Sequence, residues 1–210
     1  GEEGAPGDDF FAAAVERLDG LEVETRSYAG GSPARVLHDL AEQGECDLIV
    51  VGSPHRDGVL RGSVARSLLH GAPVPIAIAP LGYGGSEHGP LQRIAVGYDA
   101  TEEAEEALRL AAALAREAGA GIEVPNVERP KNPPIAAFEY TLDFPEDPKE
   151  ILERARHELG AVEAAAKVLT GTTAEALSEA CASGVDLLCV GSRGYGAATR
   201  VLLGSVADEL

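Results

Sequence analysis

The chain has 210 residues, 45% apolar and 25% charged, the balance of a globular protein with a core to bury. Its 35 acidic residues against 17 Lys and Arg give a net charge of −18. A surface so acidic repels phosphate backbones and anionic lipid, which excludes nucleic acid and membrane as expected partners. Cys46, Cys181 and Cys189 are odd in number and lack metal-ligand spacing. No apolar run approaches the roughly 18 residues of a membrane span, and no leader is visible. The expected compartment is the reducing cytoplasm.

In chain order, the first apolar run is "CDLIVVGS" (Cys46–Ser53), a strand running into a loop at Pro54-His55. "GSVARSLL" (Gly62–Leu69) starts a helix, and "PVPIAIAP" (Pro73–Pro80) reads as a final edge strand, where proline is tolerated. "RIAVGYD" (Arg93–Asp99) is a short strand ending in a carboxylate. The stretch Thr101–Ala120 follows as a helix, with Thr101 as N-cap, acidic residues in its first turn, and Gly119 and Gly121 to stop it. "IEVPNVERP" (Ile122–Pro130) reads as a weaker strand, interrupted by Pro125, and 130–148 as a Pro-rich loop. Residues 149–167 read as a long charged helix, and Val168–Thr170 as a short strand. A helix closed by Gly184, a strand over 185–190, a glycine-rich loop and a last helix complete the chain. Strands alternating with helices predict parallel sheets covered on both faces.

The sequence repeats itself. "CDLIVVGS" (Cys46–Ser53) matches "VDLLCVGS" (Val185–Ser192), "GSVARSLL" matches "GSVADEL" (Gly204–Leu210), and Pro33–Leu37 parallels Thr173–Leu177, all at offsets near 140 residues. A period of that length is a domain rather than a solenoid unit. The expected division is residues 1–85 for the first repeat and 91–210 for the second. On that spacing the opening of the first repeat lies before Gly1, and the counterpart of Leu69–Pro80 lies beyond Leu210.

The loop "GSRGYGAATRVLLGS" (Gly191–Ser205) carries the candidate chemistry. It leaves a strand at the carboxyl end, where open α/β sheets bind ligands. Glycines there let backbone N–H groups curl around an anion, and the helix start at Gly204-Ser205 adds free N–H groups and a positive dipole end. Arg193 and Arg200 supply local positive charge. Loop composition alone leaves a plain glycine turn with an ordinary N-cap equally open.

The spacing Gly191-x2-Gly194-x9-Gly204-Ser205, with the strand ending in Asp99, resembles the nucleotide-binding signature of the universal stress protein family. The resemblance implies two tandem open, five-stranded parallel sheets with helices on both faces, paired through their last strands as an intramolecular pseudo-dimer, with a homodimer as a further option. It implies ATP as ligand, with Mg2+ as an accompanying option, and a regulatory stress-response protein read by an unknown protein partner. It also implies site residues: Asp99 against the adenosine, Val127 under the adenine, Gly191, Gly194, Gly204 and Ser205 at the ribose and phosphates, and Ser192 and Arg193 in the same turn. An N-cap carboxylate for the following helix is the other reading of Asp99.

The first repeat departs from this pattern. His55 stands where the second glycine belongs, and six residues (Arg56–Arg61) replace nine before Gly62-Ser63. Little catalytic machinery is visible. There is no Gly-x4-Gly-Lys-Ser/Thr loop, and His38, His70, His88 and His157 lack metal-ligand spacing. The expected activity is at most slow ATP hydrolysis; an adenylate-forming or flavin-binding enzyme, or a structural stress protein with an empty site, are the alternatives.

Overall fold

Residues 11–12, 15–18, 20–52, 64–69, 71–80, 82–83, 89–128, 148–160, 164–170 and 173–192 are described in a computed structural model. Among them, α1 is Pro33–Glu42, β1 Ile49–Gly52, α2 Val64–Leu69 and β2 Ile76–Ala79. Then follow β3 Arg93–Gly97, α3 Glu102–Ala118, β4 Gly121–Glu128, α4 Pro148–Leu159, β5 Ala164–Thr170, α5 Thr173–Ala182 and β6 Leu187–Val190. The strands form two parallel sheets: β1 pairs with β2, and a four-stranded sheet runs β5-β4-β3-β6. Five strands in one sheet are therefore not seen among the described residues, and no strand of one sheet pairs with the other.

β3 is an inner strand of its sheet, and its middle, Ile94 to Val96, is apolar. Ile94, Ala95 and Val96 are fully buried, as expected for a parallel strand covered on both faces. Alternation divides the faces. Ile94, Val96 and Tyr98 join one core with Leu108 and the alanines of α3, Ile122 and Val124 of β4, and Ala155 and Leu159 of α4. On the other face Gly97 lies against Leu177 of α5, whose Cδ1 would be 3.3 Å from any added Cβ.

α3 starts and stops as its residues dictate. Thr101 is the N-cap, its hydroxyl accepting from the Ala104 N–H, with Glu102, Glu103 and Glu105 on the positive dipole end. Gly119 closes it in the left-handed region at φ 68°, its N–H donating to the Ala115 carbonyl. In the first half, α1 starts at Ser32, whose hydroxyl accepts from the Arg35 N–H, with Pro33 at the first helical position.

Two expectations are corrected. The helix read over 149–167 ends at Leu159, closed by Gly160 at φ 60°, and Ala164–Thr170 is strand. Alanine favours helix, but pairing of this segment with β4 from Ile122 to Glu128 outweighs that weak preference. Nor does Pro125 interrupt β4, which is continuous through Glu128. Pairing with β3 ends at Glu123, so Pro125 sits where β4 has only β5 beside it and a missing N–H costs least.

The amino ends of the strands are clamped by charge. Asp186 accepts at one carboxylate oxygen from the N–H groups of Gln92 and Arg93, both at 2.9 Å. The Arg93 guanidinium donates to the carbonyls of Ser183 and Gly184 and to Glu123 Oε2 at 2.9 Å. This end is spent on holding α5, β3, β4 and β6 together, which leaves the carboxyl ends for chemistry.

Candidate functional site at the carboxyl ends of the strands

Strand order reverses beside β3. The chain proceeds β3, β4, β5 in one direction, then returns to set β6 on the other side of β3. In parallel sheets such a reversal splays the flanking helices apart and opens a crevice beyond the carboxyl ends of the two strands. Asp99 follows β3 and Gly191 follows β6, at the carboxyl ends of the two strands beside the reversal, while Val127 lies on β4 paired with Leu169. The structure thus brings three of the predicted site positions to one edge of one sheet. Ser192 is exposed beside Gly191. Arg193, Gly194, Gly204 and Ser205 lie outside the described residues, as does the shortened loop of the first repeat.

Asp99 does not cap α3. Its Oδ1 accepts from the Thr101 N–H at 3.2 Å and from the Thr101 hydroxyl at 2.7 Å, a turn in which Asp bonds its own backbone two residues on. Ala100 between them has φ 63°, a backbone conformation that alanine seldom adopts. The turn aims α3 across the end of β6. Gly191 is pressed against the first turn of that helix: a Cβ there would lie 2.7 Å from the Glu103 carbonyl carbon and 2.8 Å from the Ala104 nitrogen. Glycine at 191 therefore has a cause inside the protein before any ligand is considered, which its place in a loop pattern does not reveal. The Thr101 link to Asp99 was legible only as Asp two residues before a helix cap.

The thiols nearby are quiet. Burial raises the Cys189 pKa to about 11, and that of Cys181 is raised by the same cause. In the first half, His38, Asp39 and Glu42 bring potential ligand atoms within 4.8 Å on the surface of α1. There His38 Nε2 is 2.8 Å from the Gly71 carbonyl, and Arg35 is 4.0 Å from Asp39, so the group is already engaged.

The universal stress protein family profile matches residues 4–80 and again 90–210. The chain belongs to the universal stress protein family. Universal stress proteins of Mycobacterium bovis and of Mycobacterium tuberculosis H37Rv are each 32% identical to it over 204 residues, covering 91% of this chain and 70% of theirs. Among solved structures, a universal stress protein from Archaeoglobus fulgidus superposes with a TM-score of 0.64 at 19% identity, covering 97% of this chain and 71% of that one. A protein from Pseudomonas aeruginosa PAO1 superposes at 0.61 and 17% identity, covering 100% and 75%. These likenesses carry the α/β fold of the family. No helix among the described residues is long and apolar enough to cross a membrane.

Proposed function

We propose that this chain is a tandem universal stress protein that binds ATP in its second repeat and acts as a nucleotide-dependent regulatory protein rather than as an enzyme. The observation that carries the reading is the strand reversal between β3 and β6, with Asp99 and Gly191 at the two carboxyl ends beside it. Asp99 and Val127 serve the nucleoside. Gly191, Ser192, Arg193, Gly194, Gly204 and Ser205 serve the ribose and phosphates, with Mg2+ held mainly by phosphate oxygens and water. The two sheets are complementary pieces of one repeat. β1, the counterpart of β6, carries β2 beside it, while β6 carries β3, β4 and β5 beyond it; merged, they make a five-stranded sheet. Pairing of the repeats through their last strands and cytoplasmic residence complete the proposal.

Calorimetric titration of nucleotide-stripped protein tests it. One ATP per chain is expected, since His55 and the shorter loop leave the first repeat little room for a triphosphate. Gly194→Asp adds bulk and like charge where the phosphates sit and should weaken ATP at least about a hundredfold. Unchanged affinity in that variant, two equivalent sites, or AMP or flavin in place of ATP on denaturing the purified protein would each overturn the reading.

A further inference from the structure

The corner Asp99-Ala100-Thr101 holds more than a carboxylate at a strand end. The Thr101 hydroxyl has one proton, and at 2.7 Å it goes to Asp99 Oδ1; the oxygen lone pairs are then left for the Ala104 N–H at 3.3 Å. The Thr101 backbone N–H adds a second donor to the same Oδ1 at 3.2 Å. Oδ1 is thereby occupied twice, while Oδ2 makes no hydrogen bond among the described residues and Asp99 is exposed. The corner is fixed from behind as well, because Gly191 abuts the peptide joining Glu103 and Ala104. A turn that holds an alanine at φ 63° persists only where its surroundings over-determine it.

We infer that Thr101 is a positioning residue: it locks the Asp99 carboxylate so that Oδ2 alone is presented to the crevice, as an acceptor for a ligand hydroxyl or amino group. A carboxylate only accepts, and it repels phosphate, so it selects the donor-bearing nucleoside end of a nucleotide and orients the anionic end toward the glycine loop. Thr101 would act on the ligand through Asp99, without touching it. The inference rests on the nucleotide reading above.

The test is a double-mutant cycle on the full chain with Thr101→Val, Thr101→Ser, Asp99→Asn and the Thr101→Val, Asp99→Asn pair, read by calorimetric titration with ATP. Thr101→Val should weaken ATP by roughly tenfold, the order expected when a charge-assisted hydrogen bond is misaligned. Thr101→Ser should restore wild-type affinity, and Thr101→Val should add nothing once Asp99 is Asn. A Thr101→Val variant that melts earlier yet binds ATP unchanged would make Thr101 a helix cap and nothing more. An equal loss in the Asp99→Asn background would show that it does not act through Asp99. Three-bond couplings that report Asp99 χ1 give a ligand-free arm. A single rotamer is expected in the wild type and in Thr101→Ser, with averaging in Thr101→Val; identical couplings in all three overturn the inference. If the wild type binds no ATP, the nucleotide reading falls and the couplings alone decide Thr101.

Discussion

β1 and β6 are the same strand written twice, and they meet different surroundings. Leu48, Val50 and Gly52 align with Leu187, Cys189 and Gly191. In the second half Leu187 and Cys189 pack against the core that α3 forms over β3. In the first half Leu48 and Val50 are 44% and 64% exposed, and no counterpart of α3 is found among the described residues. An added Cβ at Gly191 would strike the α3 backbone, whereas at Gly52 it would meet nothing within 4 Å. The apolar face of this strand is therefore written for a helix packed across it, and its burial depends on whether that helix is there. A strand's composition states what it is suited to meet, not what it meets.

The comparison predicts where stability resides. Leu108, on α3, is fully buried in the larger core, and Leu108→Ala should cost about 2–5 kcal/mol in denaturant unfolding. A loss under 1 kcal/mol would mean that the α3 core is not what holds the second half together.

The paired glycines sharpen the contrast. Gly191→Ala forces Cβ into the Glu103–Ala104 backbone, which cannot yield as a side chain tip does, and should cost about 1–3 kcal/mol. Gly52→Ala meets open space and should change stability by no more than about 0.5 kcal/mol. Equal costs at the two sites would erase the distinction between the halves.

Much of this was legible from residues alone. The strands around Ile49, Ala95 and Leu188 are apolar runs between turn signals, and the Thr101 and Gly119 ends of α3 follow from capping chemistry. Gly191 belongs to a spaced glycine pattern, Asp99 and Val127 could be named only through the family resemblance that the pattern carries, and the strand order brings all three positions to one end of one sheet. What stayed hidden depended on partners distant in sequence. Ala164–Ala166 favours helix locally, and only β4 makes it strand. The hold of α3 on Gly191 joins residues far apart in sequence, and no local spacing records it.

A third prediction uses pH. Burial lifts the Cys189 thiol from its ordinary value of 9.0 to about 11, so the unfolded chain releases this proton first. The contribution is fully present below about pH 9 and lost as pH rises toward about 11, about 1–2 kcal/mol after allowing for partial exposure. Cys189→Ala should flatten that part of the stability profile relative to wild type. Identical slopes in the two proteins between these pH values would mean the thiol is solvated.

The smallest expected effect probes the comparison most directly. Val50 occupies the register of Cys189, yet its side chain faces outward with 64% of its surface open. Removing two methyl groups from an open position forfeits little burial and leaves no cavity, so Val50→Ala should shift stability by no more than about 0.5 kcal/mol. Its neighbour Ile49, on the opposite face of β1, is 4% exposed and packs with Ala41 and Leu68. Ile49→Ala should therefore cost several times more, which shows that the strand is formed and that the small effect at Val50 belongs to its face. A cost at Val50 approaching that at Ile49 would mean the face is covered in solution. Repeating the Val50→Ala measurement across a hundredfold range of protein concentration then separates a second copy from a segment of the same chain. Only a second copy makes the cost rise with concentration.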